Sequence, residues 1–156
     1  METVKAYYKT PIGIAEIVGN EKGIQSISLL NDDIASSTDI PAPLQDCVTQ
    51  LAEYFDGTRS EFDLTLNPKG TDFQQKVWKE LLNIPFGKTR TYLEQTKQLG
   101  DPKAIRAVAS ANGKNPIGIV IPCHRVIGSD GSLTGYAGGL ALKAKLLMHE
   151  QADFRP

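Results

Sequence analysis

The dipeptide Cys123-His124 is the part of this sequence best suited to nucleophilic chemistry. It follows an apolar stretch over residues 118–121 that has the pattern of a short buried strand, and Arg125 comes directly after it. A cysteine thiol, with an ordinary pKa of about 8.5, becomes a nucleophile when a neighbouring imidazole, guanidinium or general base raises its thiolate fraction. The sequence therefore predicts a reactive cysteine where a strand ends.

The geometry of this dipeptide raises a difficulty, because adjacent residues on a strand point to opposite faces. His124 could not then touch the sulfur of Cys123, so the chain must turn here or a water must relay the proton. A Cys-His pair alone is equally typical of an inert buried cysteine beside a hydrogen-bonded histidine. The longer run Ile-Pro-Cys-His-Arg-Val at residues 121–126 favours the reactive interpretation.

The other cysteine, Cys47, is predicted to be structural because it lies on the apolar face of a helical pattern over residues 44–55. The two cysteines and two histidines, at positions 47, 123, 124 and 149, match no zinc-binding spacing. We therefore expect no metal and no other cofactor.

Charge is divided unevenly along the chain, although the net charge is only -1. Residues 1–67 hold four basic and 11 acidic residues, whereas residues 68–156 hold 13 basic and seven acidic ones. A basic half beside an acidic half suggests that one surface meets a polyanion, with chance segregation as the alternative. The net charge changes from negative to positive at residues 67–70, a run of Asn-Pro-Lys-Gly that is typical of a linker. We predict a domain boundary there.

The first half has the pattern of an antiparallel meander followed by a helix. Residues 3–9, 12–18 and 24–30 read as strands, residues 44–55 as an amphipathic helix, and residues 62–66 as a possible further strand. The start of the chain lacks a signal-peptide pattern, and no apolar run approaches the roughly 20 residues of a membrane span. The expected location is the cytoplasm, without membrane contact.

The second half reads as a series of helices. Thr71 or Asp72 would cap the first, a short helix covers residues 91–99, and Asp101 with Pro102 begins another that ends near Gly113, which makes a helix-turn-helix candidate. The last of these carries a stripe of small residues, which permits tight helix packing or close approach to DNA: Ala104, Ala107, Val108 and Ala111. Arg106, outside the stripe, suits contact with phosphate or a groove.

Several motifs in one order resemble the O6-alkylguanine-DNA alkyltransferase family. The likeness extends over about residues 72–150, and the order of elements in the first half is similar too. The motifs are Pro-Phe-Gly-Lys at 85–88 with Thr91-Tyr92, residues 102–108, Asn115-Pro116, residues 121–126 and residues 135–140. The resemblance implies an α/β (α+β) fold, with a ribonuclease H-like N-terminal domain over residues 1–67 and a winged-helix-like, mostly helical domain over residues 68–156.

The resemblance also implies a set of catalytic residues. Cys123 would accept the alkyl group, with His124 acting as its base through a bound water and Glu150 orienting the imidazole, which resolves the geometric difficulty above. Tyr92 would protonate the leaving guanine or position the phosphate beside it, and Asn115 would brace the chain before the nucleophile.

The implied partner is double-stranded DNA that contains O6-alkylguanine, bound through the minor groove by a monomer. Arg106 would fill the gap left by a base rotated out of the helix, and small residues would let its own helix enter the groove. The remaining DNA-contacting residues would be Tyr92, Ala104, Ala107, Arg125, Tyr136 and Gly138. The last two would lie in a loop over the base, where Ala137 and Gly138 leave room for adducts as large as benzyl.

The expected reaction is irreversible and stoichiometric, because no residue could reasonably cleave the thioether left on Cys123. O4-alkylthymine is a possible second substrate. Two alternatives belong to other classes of protein: a helix-turn-helix module that senses DNA without chemistry, and a multiple-turnover cysteine hydrolase that would need an oxyanion hole. The cysteine-rich phosphotriester-repair module and the zinc ligands of some relatives have no counterpart in this sequence.

Overall fold

The computed structural model describes residues 2–136 and 139–154, which divide into two compact units. The first unit runs to Lys69 and also contains Pro116–Gly118, while the second contains Gly70–Asn115 and the chain from Ile119 onward. A three-stranded antiparallel sheet comes first and a helical region follows. The mixed α/β fold predicted from the sequence is confirmed.

The sheet of the first unit is a meander of β1 (Val4–Thr10), β2 (Gly13–Asn20) and β3 (Gly23–Leu30). Alternate residues of the central strand face the core, and Ala15 and Ile17 are fully buried. Gly23 begins β3 with φ of +136°, and a Cβ there would lie 2.8 Å from the carbonyl oxygen of Thr65, so the position requires glycine.

Helix α1 (Ala42–Asp56) covers this sheet with an apolar face formed by Leu44, Cys47, Leu51 and Tyr54. Its last turn ends at Gly57 in the left-handed conformation. Cys47 has no exposed surface, and burial raises its pKa to about 12. The prediction that Cys47 is structural is confirmed, because a thiol held in this way stays protonated at neutral pH.

The possible strand at residues 62–66 is not formed. Only Leu66 pairs with the sheet, through a single bridge to Ile24. The side chain of Gln50 forms hydrogen bonds with both backbone groups of Asp63, donating to its carbonyl oxygen at 3.0 Å and accepting from its N–H at 2.8 Å. Because a side chain of α1 pairs with these buried backbone groups, they do not need a neighbouring strand as a partner.

The second unit begins with α2 (Asp72–Leu81), whose first turn is closed by a capping box between Thr71 and Gln74. The indole nitrogen of Trp78 donates to the carbonyl oxygen of Ala111 at 2.8 Å. Trp78 is buried against the helix that contains Ala111, so the sequence interpretation of Trp78 as a core residue is confirmed.

The helix-turn-helix lies between two short strands, β4 (Arg90–Thr91) and β5 (Val126–Ile127), which pair in parallel. Helix α3 (Tyr92–Leu99) is capped by Thr91, and Asp101 caps a 3₁₀ turn (Pro102–Ala104) that leads into α4 (Ile105–Gly113). The last helix is α5 (Leu140–His149). Within the part of the chain that the structure covers, every helix is too short or too polar to cross a bilayer.

Candidate active site

The predicted strand before the cysteine is replaced by turns. Residues 119–121 are nevertheless buried, and Ile119 adopts a left-handed φ of +69°, which is incompatible with a strand. Cys123, His124 and Arg125 then form a single 3₁₀ turn. The apolar pattern was therefore a sign of burial rather than of extended backbone, and the chain turns at the cysteine, which was one of the two alternatives that the sequence left open.

A buried carboxylate, Glu150, connects this turn to the end of α5. Its Oε2 lies 2.7 Å from Nε2 of His124, and its Oε1 accepts a hydrogen bond of 2.7 Å from Nε of Arg125. Nη2 of Arg125 adds a third contact, to Oε2 at 3.1 Å. The structure thus brings His124 and Glu150 together as the sequence predicted.

The position of Arg125 corrects the prediction that this residue contacts DNA. Its guanidinium is almost completely buried, pairs with Glu150 through two nitrogens, and donates to the carbonyl oxygen of Ile84 at 2.7 Å. A guanidinium held by these three acceptors has little surface to offer a phosphate. Arg125 instead fixes the ionised carboxylate of Glu150 behind His124.

The protonation of this group follows from its burial and its charges. Burial alone would raise the pKa of Glu150, but the hydrogen bonds and charges of His124 and Arg125 outweigh it and hold that pKa well below its usual range. Burial dominates at His124 and lowers its pKa, so the imidazole is neutral at neutral pH. The neutral ring donates Nε2–H to Glu150, which leaves Nδ1 as a buried acceptor without a partner among the described residues.

Asn115 holds the cysteine from the side. Its Nδ2 donates to Sγ of Cys123 at 3.3 Å and to the carbonyl oxygen of Ile121 at 2.8 Å. Burial raises the pKa of the Cys123 thiol, while the hydrogen bond from Asn115 and the charge of Lys143 act in the opposite direction. Asn115 therefore does two things at once: it fixes the backbone before the turn and favours the thiolate.

Lys143 is a site residue that the sequence interpretation missed. Its side chain has no exposed surface, its Nζ donates to the carbonyl oxygen of Thr134 at 2.9 Å, and burial lowers its pKa to about 8. The signal was present in the spacing, since Lys143, Leu147 and Glu150 follow one another at helical intervals and share the buried face of α5. A lysine on a buried stripe indicates a functional position.

Tyr92 stands at the first position of α3 and shares an acceptor with Lys143. Its hydroxyl donates to the carbonyl oxygen of Thr134 at 2.9 Å, and Nζ of Lys143 lies 5.6 Å from the centre of its ring. Burial raises the pKa of Tyr92, so its hydroxyl stays a proton donor at neutral pH. Tyr92 and Lys143 together hold the chain at residues 134–135.

Tyr92 and Cys123 border one cavity of about 490 Å³, a size common for small-ligand sites. Its walls come from α3, α4, the cysteine turn and the segment before α5, and they include Tyr92, Arg106, Asn112, Cys123, Gly135 and Tyr136. Burial also raises the pKa of Tyr136, which is therefore neutral. Four of the predicted residues, Tyr92, Arg106, Cys123 and Tyr136, thus meet around one opening.

The small residues predicted along α4 do not form one surface. Ala111 and Val108 are buried, Ala104 is half-buried, and Ala107 is exposed beside the exposed Arg106. Helix packing therefore accounts for the buried residues of the stripe. Ala107 is exposed, so a binding partner could approach the helix closely there. Gly138 and its neighbour Ala137, predicted to form part of the loop over a base, lie outside the described residues.

The fold and the site define a protein in which a cysteine borders a cavity that is also lined by the helices of a helix-turn-helix. Two family models match nearly the whole chain: the ribonuclease-like domain of 6-O-methylguanine DNA methyltransferase over residues 3–68 and the DNA binding domain of the same family over residues 72–152. The chain belongs to the 6-O-methylguanine DNA methyltransferase family, which confirms the resemblance found in the sequence.

Individual relatives agree with this assignment. The methylated-DNA--protein-cysteine methyltransferase of Methanosarcina barkeri is 48% identical over 154 residues, covering 94% of this chain and 96% of the relative. Its counterpart in Mycobacterium tuberculosis is 46% identical over 153 residues, covering 94% and 93%. A crystal structure of the M. tuberculosis O6-methylguanine methyltransferase matches with a TM-score of 0.85 at 43% identity, over 96% of this chain and 93% of that one.

Proposed function

We propose that this protein repairs DNA by moving a methyl or other alkyl group from O6 of guanine to Sγ of Cys123. The observation that carries the proposal is the position of this sulfur, which borders the cavity, accepts a hydrogen bond from Asn115 and lies next to the buried pair of His124 and Glu150. The M. tuberculosis relative, solved in complex with DNA, matches with a TM-score of 0.84 at 46% identity, over 93% of this chain and 91% of that one.

The first step of the proposed reaction ionises the nucleophile. The thiol proton of Cys123 passes through one water to Nδ1 of His124, whose other nitrogen is held as a donor by Glu150. The carboxylate stabilises the imidazolium that results, and Asn115 and Lys143 favour the thiolate. A relay of this kind suits a histidine that follows the cysteine directly in sequence and whose buried Nδ1 has no hydrogen-bond partner among the described residues.

The second step transfers the alkyl group. The thiolate attacks the alkyl carbon, the S–C bond forms as the C–O6 bond breaks, and the electron pair of that bond stays on the guanine. The hydroxyl of Tyr92 supplies the proton that neutralises the leaving base, since it borders the same cavity and is a donor in the structure. The product is a stable thioether, so each protein molecule reacts once.

The proposed substrate is a nucleotide rotated out of duplex DNA, because the alkyl carbon cannot be reached inside the base stack. Arg106 and the exposed Ala107 on α4 would enter the minor groove, and Tyr136 would pack against the base in the cavity.

We assign these contacts to a domain of residues 68–156, with residues 1–67 as a separate domain. We propose that O4-alkylthymine reacts as well, and that the protein acts in the cytoplasm as a monomer.

A mass measurement tests the transfer directly. After reaction with a duplex that contains one O6-methylguanine, Cys123 is expected to gain one methyl group, about 14 Da, and never more than one equivalent per protein. Tryptic cleavage after Lys114 and Arg125 isolates Cys123 on a peptide that excludes Cys47.

Other outcomes of this measurement would support other classes of protein. An unmodified peptide despite tight binding to the damaged duplex would favour a sensing module without chemistry. Product in excess of one equivalent would favour a multiple-turnover hydrolase. Methyl on Cys47 would contradict the assignment of the acceptor.

Replacing Lys143 by methionine is expected to shift the pH profile of the transfer rate to higher pH. The charge of Lys143 lowers the pKa of Cys123, so its loss reduces the thiolate fraction at neutral pH. Because Lys143 itself has a pKa of about 8, the difference from the wild type should narrow above that pH. Rate constants with O6-benzylguanine between about pH 6 and 9 measure this shift.

The exposed Lys145, two residues along α5, provides the matched control. Lys145→Met removes the same charge from the protein but should leave the profile unchanged. A loss of rate in Lys143→Met that is equal at all pH values would mean that Lys143 only anchors residues 134–135.

A further inference from the structure

Two buried side-chain amides join the helices of the helix-turn-helix. Nε2 of Gln95 on α3 donates to Oδ1 of Asn112 on α4 at 2.8 Å, and Nδ2 of Asn112 donates back to Oε1 of Gln95 at 2.7 Å. Gln95 has no exposed surface and Asn112 has 5%. We refer to Gln95 and Asn112 as the amide clasp.

The amide clasp fixes how the two helices are offset. Both hydrogen bonds form only when the two amide planes face each other in one register, so sliding or rotating either helix breaks both. A buried amide left without its partner destabilises the fold, because it loses its hydrogen bonds to water and gains none in return. Apolar side chains in the same place would hold α3 against α4 without selecting one offset, because the hydrophobic effect has no direction.

Each helix of the clasp carries a residue of the proposed DNA site. Gln95 lies one helical turn after Tyr92 on α3. Asn112 and Arg106 both lie on α4 and both border the cavity, Asn112 from the buried side of the helix and Arg106 from the exposed side. By fixing α4 relative to α3, the clasp therefore also fixes the position of Arg106 relative to Tyr92 across the cavity.

We propose that the amide clasp positions Arg106 for a base that must be taken out of duplex DNA. The inference rests on the alkyl transfer proposed above. Rotating a nucleotide out of the duplex is unfavourable, and contacts from Arg106 must offset that cost. A free alkylated base needs no such step, and Tyr92, which both substrates need, is held separately by its hydrogen bond to Thr134. Loss of the clasp should therefore slow the reaction with DNA more than the reaction with the free base.

Gln95→Met and Asn112→Leu remove the hydrogen bonds with little change in side-chain size. Each single variant leaves one buried amide unpaired and should lose stability. The double variant removes both partners, so its stability should return close to that of the wild type. Because the double variant lacks the clasp but keeps its stability, any change in its reaction rates cannot be due to unfolding.

The experiment compares one lesion in two settings, O6-benzylguanine as the free base and the same base within a duplex oligonucleotide, in single-turnover reactions. For the double variant we expect the ratio of the duplex rate to the free-base rate to fall by about tenfold or more, since small misplacements of interacting groups cost this much. Asn112 borders the cavity, so the ratio is compared and not the free-base rate alone. Thermal unfolding of each variant is recorded in parallel.

A stable double variant that keeps the wild-type duplex rate would overturn the inference, and so would free-base and duplex rates that fall together. Val77→Ala, a buried change on α2 outside the clasp, is the control for lost stability and should leave the ratio of the two rates unchanged. A wild-type protein that gains no alkyl group on Cys123 from either benzylated substrate or from a duplex that contains O6-methylguanine would overturn the proposed function itself, and this inference with it.

Discussion

Cys123→Ala is expected to abolish alkyl transfer while leaving the affinity for duplex DNA containing O6-alkylguanine within about threefold of the wild-type value. The transfer is lost because the only other cysteine, Cys47, is fully buried with a pKa of about 12. The affinity survives because Arg106, Tyr92 and Tyr136 remain around the cavity. Mass spectrometry of the reacted protein and fluorescence anisotropy with a labelled duplex measure the two properties separately.

Two further variants make this test specific to the sulfur. Cys123→Ser keeps a small polar group beside Asn115 but should be as inactive as the alanine variant, because a hydroxyl is far harder to ionise than a thiol. Cys47→Ala should transfer normally. An equal loss of binding and transfer in Cys123→Ala would mean that this cysteine is structural, and persistent transfer would mean that another residue accepts the alkyl group.

The elements that the sequence predicted well are those with local signals. Thr71, one of two predicted caps, closes the first turn of α2, and Asp101 caps the 3₁₀ turn that leads into α4. A cap needs only a short polar side chain at the right distance before an apolar pattern. The turn at Cys123 was one of two possibilities that the sequence left open, the other being a water relay, because a strand could not place His124 near the sulfur. Such inferences depend on residues close together in the chain, which is why they could be made without a structure.

The features that the sequence did not reveal depend on partners far away in the chain. Arg125 looked like a DNA contact because its partner Glu150 stands 25 residues later, and only folding brings the two together. Residues 118–121 looked like a strand because burial and strand formation produce the same apolar run. The link between Gln95 and Asn112 could not be read from spacing either, since two amides on neighbouring helices have no sequence signature of pairing.

Glu150→Gln is expected to slow alkyl transfer by about a hundredfold, the lower end of the range for general acid–base catalysis, because His124 stays in place without its carboxylate. In the proposed reaction the ionised carboxylate stabilises the imidazolium that forms when His124 takes the thiol proton, and a neutral amide of the same shape cannot. Single-turnover rate constants with O6-benzylguanine measure the loss. The variant should still bind damaged duplex, because Glu150 is buried behind the cavity.

The same substitution is expected to lower the free energy of unfolding by about 3–5 kcal/mol, because it leaves the guanidinium of Arg125 buried without its counter-charge. The pKa of Glu150 is lower in the folded protein than the ordinary carboxyl value of about 4.3. Its stabilisation is therefore complete above that value and is lost only as the pH falls through the folded pKa. Denaturant unfolding at neutral and acid pH should show the difference between wild type and variant shrinking in acid.

Adding Arg125→Met to Glu150→Gln separates the two roles of the carboxylate. The double variant has no unpaired buried charge, so its unfolding free energy should recover most of the loss. Its transfer rate should stay low, because His124 still faces an amide in place of a carboxylate. If the rate recovered together with stability, Glu150 would act only as the partner of Arg125, and the thiol proton would need another route away from Cys123.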